Sequence, residues 1–225
     1  MKRQNRAFSL IELLVVIAII GLLIGILLPA IGRARASAHQ ARGLANLRQW
    51  VLAFTMYADD YRGRFPSEGQ TEGGVVITDD NAWFNVLPPY ANEEPLRRHP
   101  DVYGRYPRPG DRNMFMCPAL RMTDLQTSPG ATDAVFAYAY NLWIEHDGEQ
   151  PLRWQDIENV ASRFAVIGER GPTEDNPAMT RANMDERHLA FRHQRGRYTL
   201  IGFADGHAAP HNMETLDTVI WNPDN

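Results

Sequence analysis

The chain has 225 residues, 44% hydrophobic and 22% charged, a balance that excludes wholesale disorder and leaves room for one membrane segment plus one sizeable domain. Its formal charge of −4 hides an asymmetry: Lys2, Arg3, Arg6, Arg33 and Arg35 flank an apolar run. Setting these and Glu12 aside leaves 18 basic against 26 acidic residues from Ala36 onward, or −8. An acidic remainder argues against nucleic acid as a partner, and the single Cys117 excludes an intrachain disulfide and a multi-cysteine zinc site.

The first predicted element is a long helix. No charge interrupts the segment from Leu13 to Gly32, which is long enough to cross a bilayer core of roughly 30 Å. The apolar part of a secretory signal would be shorter and would end in a small-residue cleavage site, so this run is expected to remain in the mature protein. Glu12 stands at its lip. An ionised carboxylate there costs a few kcal/mol unless it is paired or sits in the headgroup layer, and either arrangement fits the residues. Gly21 and Gly25 form a small-x-x-x-small pair that permits close helix approach in lipid. Pro29 removes a helix hydrogen bond, which predicts a kink or local melting.

Beyond Arg33 there is no proline before Pro66, and Ala41, Leu44, Leu47, Val51, Phe54 and Ala58 recur at helical steps, widened by Trp50 and Tyr57. The predicted stop is Asp59-Asp60-Tyr61-Arg62-Gly63. A helix from Phe8 to Asp59 would be about 75 Å long.

The remaining chain predicts short strands over Gly74–Thr78, Ala134–Tyr140, Phe164–Glu169 and Tyr198–Ala204, with a short helix over Asn81–Leu87. Asp205-Gly206 predicts a tight turn, with His207 to Pro210 returning antiparallel to the preceding strand. Pro88-Pro89 and Pro107 to Pro109 read as connections.

His188, His193, Asp205, His207 and His211 form the histidine-rich region, and imidazole plus carboxylate can ligate zinc, although the spacing fits no standard ligand pattern. Asp205 is accounted for by its turn. The competing reading is surface or structural histidines. For calcium, Asp79-Asp80-Asn81 or Asp205 alone supply too few hard ligands to argue from, and no EF-hand-like spacing is present. Cys117, followed by Pro118 and preceded by Phe115-Met116, reads as a buried turn rather than a nucleophile, and no signature of an enzyme is present.

The stretch Arg6-Ala7-Phe8-Ser9-Leu10-Ile11-Glu12-Leu13-Leu14-Val15-Val16-Ile17-Ala18-Ile19-Ile20-Gly21 resembles the N-terminal signature of type IV prepilins and type II secretion pseudopilins. The resemblance implies that a prepilin peptidase removes a leader between Ala7 and Phe8, where the family usually carries Gly before the cut, and that Phe8 is then methylated. Glu12 becomes the fifth mature residue and Pro29 the twenty-second, both positions at which the family carries those residue types. Glu12 is then expected to meet the charged N-terminal amine of a neighbouring subunit during assembly, with Gly21, Gly25 and Pro29 in the same packing segment.

A second resemblance runs through Tyr57-Ala58-Asp59-Asp60-Tyr61-Arg62-Gly63-Arg64-Phe65-Pro66, Phe115-Met116-Cys117-Pro118, Tyr138-Ala139-Tyr140-Asn141 and Phe203-Ala204-Asp205-Gly206-His207, landmarks similar to those of a pseudopilin-like group abundant in planctomycetes.

Together these imply an α+β, pilin-like fold: a long N-terminal helix, half transmembrane, packed on a small antiparallel sheet with irregular loops. The implied division is a leader 1–7, a transmembrane half-helix 8–32, an extramembrane half 33–60 and a β-rich domain 61–225. The implied role is a non-enzymatic filament subunit of a type II secretion or type IV pilus-like system. Its implied partners are pilin subunits, prepilin peptidase, the inner-membrane assembly platform and lipid. It would sit as a single-pass inner-membrane protein with its C-terminal domain outside the cytoplasm, an orientation drawn from the resemblance because flanking charges nearly balance. No cofactor is expected, with calcium or zinc as the alternatives. A membrane-anchored binding or enzymatic domain that uses the helix only for delivery is the other reading.

Overall fold

A computed structural model of the chain describes residues 10–71, 74–121, 136–144, 152–171, 183–184 and 188–222. Helix α1 runs Leu10–Asp60, 51 residues. Its apolar stretch is long enough to cross a membrane and is wholly exposed. Sixteen large apolar side chains between Leu10 and Ile31 lie open. Covering them all would be worth on the order of 25 to 50 kcal/mol, at about 1.5–3 kcal/mol per side chain, a strong drive toward an apolar surrounding. The local melting expected at Pro29 does not occur: α1 stays α-helical through it. Proline removes only its own N–H bond, and the carbonyl it forfeits belongs to Gly25, one turn back.

The chain divides into a unit Met1–Ala38 and a unit His39–Asn225. In the second unit, α1 buries Gly43, Asn46, Leu47, Trp50, Val51, Ala53, Phe54, Tyr57 and Ala58. Ala41 is exposed and Leu44 half-buried, so the stripe is centred slightly to one side of the predicted one. α1 ends where expected. The Gly63 amide donates back to the Ala58 carbonyl at 2.7 Å, and Arg62 and Gly63 take φ of 58° and 79°, a left-handed turn that ends the helical hydrogen-bond pattern.

Strands β1 (Gln70–Thr71) and β2 (Gly74–Val75) pair antiparallel, and β2 is shorter than the predicted strand because the chain turns at Val76, whose carbonyl accepts the Asp79 amide. Helix α2 (Trp83–Val86) lies inside the predicted Asn81–Leu87, and α3 (His99–Tyr103), which was not anticipated, ends on Gly104 at φ 74°. The main sheet comprises β3 (Tyr138–Asn141), β4 (Ala165–Glu169), β5 (Asn183–Met184), β6 (Thr199–Phe203) and β7 (Ala208–His211), in the order β5-β3-β4-β6-β7.

Four of these strands pair antiparallel, and the two-residue β5 adds a parallel edge. The predicted strand start at Ala134 and Val135 lies outside the described residues. The β6–β7 connection is the expected tight turn: the Gly206 amide donates to the Phe203 carbonyl at 3.0 Å, with Gly206 at φ 95°.

The sheet is buried on both faces. Leu47, Trp50, Val51 and Phe54 of α1 pack with Trp83, Phe84, Phe115, Tyr138, Tyr140 and Leu200 in the main core. Trp50 meets Trp83 edge-on at 4.9 Å, and Phe54 stacks on Tyr140 at 5.4 Å. On the opposite face Ala139, Ala165, Ile201, Phe203, Val219 and Trp221 form a smaller cluster. The C-terminal segment is tied there by Asn141, whose amide donates to the Ala165 and Trp221 carbonyls at 2.7 and 2.8 Å. The result is the α+β, pilin-like arrangement of a long N-terminal helix and a small antiparallel sheet.

Candidate functional site

Ala7 and Phe8 lie outside the described residues. Glu12 occupies the first turn of α1. Gly21, Gly25 and Pro29 follow at four-residue steps, so they share one face. Glu12 is nine residues before Gly21, which at about 100° per residue places it on the opposite side of the helix axis. A Cβ built on Gly21 or Gly25 meets nothing within 4 Å, so the glycine face is open. The segment therefore presents a carboxylate on one side and a smooth backbone surface on the other.

A second constellation lies in the other unit. Tyr138 and Glu169 are paired across β3 and β4, and Glu169 is fully buried. Its Oε1 accepts from His193 Nε2 at 2.9 Å and from the Cys117 thiol at 2.7 Å, while Oε2 accepts the Leu200 amide at 3.0 Å. His193 is held by a reciprocal backbone bridge with Tyr198, and its ring lies beneath Gly43 of α1. Cys117 sits in the buried turn expected from the sequence: its carbonyl accepts the Leu120 amide at 3.0 Å. Asn46 of α1 donates to the Met116 carbonyl at 3.0 Å, fixing that turn against the helix.

Burial, and secondarily the Glu169 carboxylate, pushes the Cys117 thiol well above its ordinary range. A thiol kept protonated and closed to solvent is not poised as a nucleophile. Glu169 was not singled out from the sequence. The signal available was a carboxylate ending a run, Ala165 to Gly168, whose neighbours all favour burial.

The candidate metal ligands named from the sequence do not converge. His193 lies on the helix side of the sheet, while His207 and His211 pack against Phe203 on the other side, with ring centroids 4.4 and 5.4 Å away. Asp205 serves its turn by accepting the His207 amide at 3.1 Å, and it also pairs with the His207 ring. The His188 carbonyl accepts the Gly171 amide. Of the acidic pair considered for calcium, Asp79 accepts the Asn81 amide at 2.8 Å and Asp80 pairs with Arg97.

Residues 2–28 match the model of the prokaryotic N-terminal methylation motif. The match takes in the basic residues Lys2, Arg3 and Arg6 together with Ala7, Phe8, Glu12, Gly21 and Gly25. No curated protein and no solved structure matches the chain.

Proposed function

We propose, from the premise that this is a type IV prepilin-like chain, that its work is assembly: a structural pilin or pseudopilin subunit joining a type II secretion or type IV pilus-like filament through its N-terminal helix. The observation that carries the reading is the methylation motif on an apolar helix whose residues Leu10 to Ile31 are exposed. A membrane anchor alone needs only length and hydrophobicity. This segment adds Glu12 at its start and a glycine face opposite, which suits a helix with neighbours on more than one side.

On this reading a prepilin peptidase cuts between Ala7 and Phe8, and Phe8 is methylated. The new amine of one subunit then neutralises Glu12 of another, removing a charge pair from lipid as the subunit is added. Gly21 and Gly25 allow close packing, and Pro29 frees the Gly25 carbonyl one turn back. The helix crosses the inner membrane once, with the second unit on the extracytoplasmic side, where it faces cargo, a surface or other subunits. The inner-membrane assembly platform and lipid are its remaining partners.

Mass spectrometry of the mature N-terminus tests the processing. A methylated Phe8 is expected, and an intact Met1 overturns it. Glu12→Leu tests assembly. Co-assembly with wild-type subunits should be lost while the variant is still processed and membrane-inserted, and undiminished co-assembly refutes the charge-pair role.

A further inference from the structure

Cys117, Glu169 and His193 come from three separate segments, yet their donor atoms all lie within 4.8 Å of one another. Exposures of 0%, 0% and 2% shut the cluster off from solvent. We propose that these three side chains form a structural site for one divalent transition-metal ion, with zinc the best-matched.

The donor set points to that class. Thiolate sulfur with imidazole nitrogen selects zinc and its neighbours, whereas calcium and magnesium take oxygen. The donors stand near, but not at, the separations that a bound ion imposes, so binding must open the two contacts to Oε1. Bonds of about 2.0–2.3 Å in a tetrahedral centre hold such donors about 3.3–3.6 Å apart. Here Sγ and Oε1 are 2.7 Å apart, Oε1 and Nε2 2.9 Å, and Sγ and Nε2 3.9 Å, values on both sides of that range.

The surroundings orient two of the donors, Glu169 and Cys117. The Leu200 amide occupies Oε2 and leaves Oε1 as the single carboxylate donor. The Ala119 amide donates to Sγ at 3.4 Å, an interaction that favours the thiolate. Such outer contacts orient ligands and set their basicity. Thiolate, carboxylate and neutral imidazole bring −2 to a divalent ion, with the Arg192 charge nearby, and the fourth tetrahedral position falls to a water that enters with the ion. Binding displaces the thiol proton to solvent as the metal–sulfur bond forms, and His193 passes to the neutral tautomer protonated at Nδ1, which frees Nε2 to bind the ion.

The consequence is a cross-link. One ion would tie the turn at Cys117 to the end of β4 and to the loop before β6, closing separations of 52 and 76 residues directly beneath Gly43 of α1. In a chain whose single cysteine cannot form an internal disulfide, this is an available staple between the sheet and the turn and loop beside it. The inference does not depend on the filament reading.

The test uses the full chain purified in detergent without a metal-affinity step, exposed to zinc, desalted and assayed by elemental mass spectrometry. One zinc per chain is expected, with several-fold less in Cys117→Ser and Glu169→Gln. Cobalt exchange supplies a readout that does not depend on a fragile variant. The wild-type chain should show tetrahedral ligand-field bands and a thiolate-to-cobalt charge-transfer band, and His193→Cys should retain the ion with a stronger charge-transfer band. A wild-type chain that emerges metal-free, its cluster held by hydrogen bonds and the nearby Arg192 charge alone, overturns the proposal. Equal metal in wild type and Cys117→Ser, or a cobalt spectrum without sulfur character, does so too.

Discussion

Two glycines lie where α1 and the sheet pack closely, and they should respond differently to the same methyl group. A Cβ on Gly202 of β6 would lie 2.7 Å from Val51 Cγ2 and 3.1 Å from Ile167 Cγ2. Carbon atoms pack at about 3.5–4.0 Å, so the overlap approaches an ångström. Val51 cannot turn away, because a β-branched residue within a helix has essentially one χ1 rotamer. Helix and sheet must separate, and overpacking of this kind costs about 1–3 kcal/mol.

A Cβ on Gly43 meets Leu200 Cδ1 at 2.6 Å, nominally worse, but that atom ends a flexible side chain. Alanine also gains up to about 1 kcal/mol over glycine in a helix interior. Gly43→Ala should therefore stay within about 1 kcal/mol of wild type while Gly202→Ala falls by about 1–3 kcal/mol. Urea unfolding of the detergent-solubilised chain, followed by fluorescence of the buried Trp50 and Trp83, measures both. Combining Gly202→Ala with Val51→Ala should recover at least about 1 kcal/mol relative to additivity. Strict additivity, or equal losses at the two glycines, refutes the close-approach argument.

Three further outcomes follow from the packing and titration of the same unit. Phe54→Ala should cost about 3–5 kcal/mol by opening a cavity against Tyr140, and a loss below about 1 kcal/mol in the same unfolding assay would contradict its core position. Asn141→Ala removes the donor to two buried carbonyls and the acceptor of the Trp143 amide, and should cost at least about 2 kcal/mol. A near-neutral result would mean the C-terminal segment is held by other contacts. Burial pushes both His99 and His211 below 6.5, so the unfolded chain binds their protons first as the pH drops. Their contribution is present above about pH 6.5 and is lost as the pH falls through the folded values. Tm should decline from pH 7 toward pH 5, and His99→Phe, which keeps the ring contacts to Tyr103 and Phe115, should flatten the decline. A Tm that rises on acidification refutes the assignment.

What the sequence made legible is what local chemistry determines. The helix end at Asp60, the hairpin at Gly206 and the strands over Ala165–Glu169 and Thr199–Phe203 follow from chain-breaking residues, left-handed glycine and apolar runs, each acting within a few residues. The helix stripe was recovered except at its start: periodicity assigned Ala41 to the packed face, but packing begins at Gly43, the first position at which the helix backbone lies against Leu200 and His193. A small residue scores poorly as core by hydrophobicity. Here its smallness is the reason that it is buried.

The buried cluster was illegible for a different reason. Its members are 52 and 76 residues away from Cys117, and nothing in their spacing selects one another. Grouping histidines by nearness in sequence joined His193 to His207 and His211, yet β6 runs between them and its alternation sends Leu200 toward the helix and Phe203 away from it. Residues close in sequence on either side of a strand can belong to opposite faces of the sheet. Glu169 carries the corrective signal, because a carboxylate in a strand buried at all five positions must find a compensating partner within the core. Once β3–β4 pairing sets Glu169 opposite Tyr138, the candidate partners narrow to side chains beneath the helix, and Cys117 and His193 reach it. The N-terminal segment and this cluster are thus read by opposite routes, the first from consecutive residues and the second only after strand register has assembled it.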